Sequence, residues 1–125
     1  MIHLDTSFLI RALAPGSAED RTLREWLLND EPVGISSIGW AEFLCGPVEM
    51  RHVELVQRIV HEPDPFGRRE AELAAELFNN SGRRRGSLSD CMVAASAVRA
   101  GGSLATANAD DFRRLARSGL RILTA

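Results

Sequence analysis

Four acidic positions in the chain stand where carboxylates could do chemistry. Asp5 closes an apolar opening stretch, Met1 to Leu4, and is followed by Thr6 and Ser7. Glu42 falls four residues after Ile38 and three before Cys45, in a run that is apolar at nearly every other position. Asp90 opens an alanine-rich segment and shares a helical face with Ala94 and Ala97. Asn108, Asp110 and Asp111 follow a short apolar stretch that ends at Thr106. Each has an ordinary structural explanation beside the chemical one. Asp5 and one of the last trio can cap helices, Asp90 complements a helix dipole, and Glu42 can be neutralised by an arginine. Glutamate is rarely buried unless paired or bound to a metal, which makes Glu42 the hardest to explain structurally.

The chemistry follows if these acids converge. Carboxylates a few ångströms apart raise one another's pKa unless a divalent cation sits among them. An all-oxygen cluster lacking His or Cys ligands suits Mg²⁺ or Mn²⁺, and such an ion keeps several waters. A water, a metal and a charged neighbourhood together point to hydrolysis of a phosphate ester. That chemistry asks for no lysine, and the chain has none, since all fifteen of its basic residues are arginine. P-loop nucleotide sites, receiver-type phosphotransfer sites, Schiff-base enzymes and most haloacid-dehalogenase phosphatases are thereby excluded. His3, His52 and His61 have no ligand spacing and read as structural or surface residues.

The elements that must position these acids alternate between strand and helix. Met1 to Leu4 predicts a strand, and Asp5-Thr6-Ser7 marks the switch into a helix that Pro15 and Gly16 end. A helix over Ala18 to Asn29 places Leu23, Trp26 and Leu27 on one face, and Val33 to Ser36 is a short strand. Ser36 or Ser37 caps a third helix that Gly46 and Pro47 stop, with Trp40 and Phe43 in core roles. Further helices span residues 50 to 60 and Arg68 to Asn79. After the basic loop Arg83 to Arg85 comes a helix from Asp90 to Ala100, then a strand from Ser103 to Thr106. A short helix from Ala109 to Ala116 and a strand from Leu120 to Leu123 complete the order. The pattern is α/β, a short parallel sheet of about four to five strands with helices on both faces. Ligand sites in such sheets lie beyond the carboxyl ends of the strands, which is where Asp5, Asp90 and the Asn108 to Asp111 group fall.

A chain of 125 residues, 45% apolar and 26% charged, is the size of one domain spanning 1–125, with no linker or repeat. Cys45 and Cys91 are too few for a disulfide framework and read as reduced core thiols. With neither a signal-peptide pattern nor a membrane span, the expectation is a soluble cytoplasmic protein. The net charge of −2 does not suit an autonomous nucleic-acid-binding domain. Its distribution is uneven, however. Residues 1–64 carry eleven acids and five arginines, residues 65–125 six acids and ten arginines, so the surface is expected to be two-faced.

Four segments, taken in order, resemble those of the PIN-domain ribonucleases, and more closely the VapC-type toxins of bacterial toxin–antitoxin pairs. Leu4-Asp5-Thr6-Ser7 is similar to the family's first-strand motif, Trp40-Ala41-Glu42 to its second and Leu88 to Ala95 to its third. Thr106 to Phe112 is similar to the fourth, and Gly119 to Leu123 to the terminal strand, so that the likeness spans nearly the whole chain. The resemblance implies a PIN-like three-layer sandwich and a Mg²⁺- or Mn²⁺-dependent endoribonuclease acting on single-stranded RNA. It implies that Asp5 and Asp90 bind the metal most directly, with Glu42 and a fourth residue completing the acidic site. Asp111 or Asn108 fills the fourth position; we assign it to Asp111, leaving Asn108 to orient water or metal and Asp110 exposed. Thr6 would support the site by hydrogen bonding, and Arg83, Arg84 and Arg85 would contact phosphates. A VapB-type antitoxin and a homodimer are the implied partners, for which the third helix and the Val53 to Val60 face offer apolar surface. A PIN-like module that binds RNA or protein without cutting, and a metal-dependent phosphatase, are the alternatives.

Overall fold

A computed structural model describes all residues, 1–125. Its sheet holds four parallel strands, β1 (Ile2–Leu4), β2 (Val33–Gly34), β3 (Ser103–Ala105) and β4 (Arg121–Leu123), in the order β2-β1-β3-β4. Seven helices accompany them: α1 (Thr6–Ala12), α2 (Ala18–Leu28), α3 (Ser37–Cys45), α4 (Met50–Val60), α5 (Arg68–Asn80), α6 (Leu88–Arg99) and α7 (Ala109–Phe112). The expected final helix, Ala109 to Ala116, is instead a single α-turn that tightens into a 3₁₀ segment, Arg113–Ser118, closed by Gly119 at φ 94°.

Alternation along the short strands separates two cores. Register pairs Leu104 with Ile122 on one face and Ala105 with Leu123 on the other. On the first face Ile2, Leu4 and Ala105 join Phe8, Leu9, Leu23, Phe43, Val56 and Val60, contributed by α1 to α4. On the second, Leu104 meets Ala74 and Leu77 of α5, the alanines of α6, and Phe112, Leu115 and Leu120. Small side chains at 93 to 97 leave α6 buried along most of its length, so its first turn lies at the sheet's rim. His3 projects into the second face, 1% exposed, with Nε2 2.6 Å from Asp64 Oδ2. Burial pushes its pKa down despite the pull of Asp64 in the opposite direction.

Two expectations need correction. Helix α3 buries only Gly39 and Phe43, whereas Ala41, Glu42, Leu44 and Cys45 are exposed, so Cys45 is a surface thiol and only Cys91 is a core one. Nor is the Val53 to Val60 face free for a partner, because Val56 and Val60 are buried on the sheet and Val53 and Ile59 pack beside them. The exposed apolar positions nearby are Leu44, Met50 and Leu55. No helix is long and apolar enough to cross a membrane.

Candidate active site

Parallel strands share a carboxyl edge, and β1 and β3 are neighbours there. Asp5, one residue past β1, donates its backbone N–H to the Ala105 carbonyl at 2.8 Å and is 8% exposed. Its carboxylate caps no helix. Instead, Oδ2 accepts a hydrogen bond from the Ser7 hydroxyl at 2.6 Å and from the Thr106 hydroxyl at 2.8 Å. Those two oxygens in turn accept the backbone N–H groups of Ala107 (3.1 Å) and Asn108 (3.0 Å). Each hydroxyl has one proton, and each gives it to Asp5. Because both fall on Oδ2, Oδ1 is left without a donor from the protein.

The other acids close around this floor from different elements. Glu42 of α3 lies near enough to Asp5 and Asp90 to feel both charges; its carboxyl is pushed up, first by partial desolvation and then by those neighbours. Its residue is exposed overall, so it stands on the open side of the group and not inside a packed helix face, as its apolar sequence context implies. Asp90, in the first turn of α6, is pushed up to about 6 by partial burial, then by Asp111 and Asp5, with the Arg114 guanidinium acting against the shift. Neither Glu42 nor Asp90 forms an ion pair. Asp5, Glu42, Asp90 and Asp111 are thus one electrostatic group gathered from four places in the sequence. No three of the Asp, Glu, His or Cys side chains stand close enough to close around an ion unaided. An open ring of carboxylate oxygens with a free Oδ1 on Asp5 fits a hard dication that retains water, and fits no ion that demands a full protein cage.

The remaining predicted residues separate. Thr6 donates to the Gly39 carbonyl at 3.1 Å, which ties the start of α1 to α3 and not to the acids directly. Arg84 and Arg85 line a cleft of about 150 Å³ together with Asp90, Asp111 and Arg114. Arg83 turns away, donating to Asn79 at 2.9 Å and lying 5.9 Å above the Phe78 ring. Asn108 faces a neighbouring hollow with Asp110 and Arg113, while Asp111 borders both spaces. Sequence gives Ser7 a place only in the strand-to-helix switch and Thr106 only at a strand end, and gives Arg114 no role. Arg114 follows Asp111 by three positions, the one pattern that could have indicated it.

Comparison with known proteins accords with this arrangement. The PIN domain family model matches residues 2–118. Solved structures of like fold include VapBC2 from Rickettsia felis bound to a promoter DNA fragment, with a TM-score of 0.75 at 20% identity over 100% of this chain and 99% of that one. VapBC-1 from nontypeable Haemophilus influenzae gives 0.75 at 22% identity, covering 99% and 98%. VapC20 from Mycobacterium tuberculosis, a sarcin-ricin loop cleaving toxin, gives 0.62 at 21% identity, covering 94% and 95%. No curated protein matches the sequence. With its sheet order, its four converging acids and a family match across nearly its whole length, the chain belongs to the PIN domain family.

Proposed function

We propose that this protein is a divalent-metal-dependent endoribonuclease that cuts single-stranded RNA, and the toxin of a VapBC-type toxin–antitoxin pair. The observation that carries the reading is the mutual crowding of Asp5, Glu42, Asp90 and Asp111 with no ion pair to Glu42 or Asp90. Asp5 and Asp90 would hold Mg²⁺ or Mn²⁺, and Glu42 and Asp111 would complete the acidic ring. A bound ion would supply an activated water and offset charge at the phosphate. Ser7 and Thr106 keep Asp5 in one orientation, as outer-shell donors do for a ligating carboxylate. Glu42, on the open side, would take the proton of the attacking water at its carboxylate. Arg84 and Arg85 hold the RNA backbone beside Asp90, and Asn108 contributes from outside the ring.

Support for the toxin assignment comes from the fold neighbours, which include VapBC complexes and a toxin that cleaves an RNA loop. A VapB-type antitoxin as partner, a homodimer and a cytoplasmic setting belong to the same reading. Incubating the protein with end-labelled single-stranded RNA tests it. Fragments should form with Mg²⁺ or Mn²⁺, and should be absent with a chelator and absent for Asp5→Asn and Asp90→Asn. Cleavage that persists in chelator, or in both variants, overturns the assignment. Release of phosphate from small esters without RNA cleavage points to the phosphatase alternative, and RNA binding with no cleavage to the binding module.

A further inference from the structure

The cleft holding Asp90 and Asp111 is not the largest space on this side of the molecule. A cavity of about 410 Å³ lies beside it, between the C-terminal half of α5 and the 3₁₀ segment Arg113–Ser118, and the Arg114 side chain lines both. The volume falls within the roughly 300–1,000 Å³ of small-molecule sites. Leu73, Leu77 and Leu115 form apolar walls, Glu76 and Asn80 supply a carboxylate and an amide, and Arg117 stands with Arg114.

Arginines gather here, four of the chain's fifteen lining the two adjoining spaces. Arg24, Arg51, Arg68, Arg99 and Arg113 are each paired to a carboxylate. Arg84, Arg85, Arg114 and Arg117, which line the two adjoining spaces, are paired to none, as are Arg11, Arg21, Arg58, Arg69, Arg83 and Arg121 elsewhere. Arg114 donates only to the Asp111 carbonyl at 3.2 Å, and its Nε is shielded without a partner. A guanidinium held this way, with protein on one side and two open spaces on the other, is ready for an anion that bridges them. In a nucleic acid the phosphate and the base are one sugar apart, which matches an anion-holding side chain at the boundary of an apolar-walled cavity.

We infer that the cavity between α5 and the 3₁₀ segment is a base-binding subsite, in which Arg114 holds the phosphate next to the acidic cleft while Glu76 and Asn80 read the edge of the adjoining base. The inference rests on the ribonuclease reading and adds selectivity to it. Glu76 is acceptor-only when ionised, so the subsite favours a base that presents an exocyclic amino group over uracil, whose single N3–H donor is flanked by two carbonyl oxygens that repel a carboxylate. The leucines contact the faces of the base in place of an aromatic platform.

Binding of labelled tetranucleotides rA₄, rC₄, rG₄ and rU₄, read by fluorescence anisotropy in chelator, tests the subsite without any cleavage. The unmodified protein should bind rU₄ about tenfold more weakly than the best of the other three, the discrimination expected of one charge-assisted hydrogen bond. Glu76→Gln and Asn80→Ala change exposed positions and leave the core intact. Each should shrink that preference to about twofold with rU₄ binding unchanged. Arg114→Ala should weaken all four alike and reduce the salt dependence of binding by about one phosphate contact. Equal binding of the four, tightest binding of rU₄, absence of binding, or a preference that survives both Glu76→Gln and Asn80→Ala overturns the subsite. Cleavage of a randomised RNA in Mg²⁺ separates the two ideas. A chain that cuts but shows no preference loses the subsite alone, whereas one that keeps the preference but never cuts loses the ribonuclease reading alone.

Discussion

The floor and the rim of the acidic cleft are built on opposite terms. At the floor, Asp5 is nearly enclosed, its Oδ2 held by two hydroxyls that are themselves fixed by backbone N–H groups. At the rim, Asp90 and Glu42 have no ion-pair partner, face one another's charge and are pushed toward protonation. The floor is fixed by protein groups through Oδ2, with Oδ1 left open. The rim is not, and the charge it lacks is positive. Such a division makes the site rigid where geometry is set and leaves its negative charge uncompensated at the opening.

The strongest way to break the comparison is to remove one acid from each side. Asp5→Asn and Asp90→Asn should each lower kcat/KM for RNA by about a thousandfold, the scale of several kcal/mol of metal-assisted stabilisation. Single-turnover cleavage measures it, and a loss in only one variant would show that floor and rim do not serve one ion. Thr106→Val tests the floor without touching a carboxylate. It leaves Asp5 with a single hydroxyl and strands the Asn108 N–H, so activity should fall about 10- to 100-fold, with about 1–2 kcal/mol lost in urea unfolding.

Effects at the arginines should be smaller and uneven. Arg84→Ala with Arg85→Ala should raise KM about tenfold and flatten its salt dependence, since both line the cleft. Arg83→Ala should leave KM within about twofold, because that side chain is held by Asn79 and Phe78. Reversed magnitudes in steady-state assays would reassign the basic loop.

The smallest effect sharpens the picture of the rim. The Asp90 carboxyl is pushed up to about 6, above the ordinary aspartate range, so the ion-free fold binds its proton more tightly than the unfolded chain does. The stability this contributes is present in full below about pH 4 and is lost as pH rises through 6. Asp90→Asn should therefore melt higher than the unmodified protein at pH 8 in chelator, and at the same temperature near pH 4. With solvent screening of a half-exposed group, about 1 kcal/mol, or roughly 4 °C, is expected by calorimetry.

Element positions were legible because this chain punctuates itself. Pro15, Gly46, Pro47, Pro63 and the glycine pair Gly101-Gly102 separate segments whose apolar spacing is unambiguous, and observed bounds differ from expected ones by a residue or two at most ends. The core reading of Cys45 in helix α3 fails because apolar content does not say how much of a helix its neighbours cover. Leu44 and Cys45 look like core in sequence yet are exposed. The same misreading placed Glu42 in an apolar environment, although its position beside Asp5 and Asp90 follows from the topology. Thr106 and Ser7 were invisible as a pair because 99 positions separate them, and only the adjacency of β1 and β3 brings their hydroxyls onto one oxygen. Local pattern carries helices and strands; it does not carry strand order.

That adjacency also sets a schedule for synthesis. Strand β1 emerges from the ribosome first, but the hydroxyl that orients its terminal aspartate lies 101 residues later, as does the strand beside it. Until that distant stretch is translated and docked, a step that such nonlocal pairing makes slow, the nascent polypeptide has its first acid without a seat. A chain still in synthesis therefore lacks the ordered floor of its acidic cleft, which forms only once translation has passed the third strand.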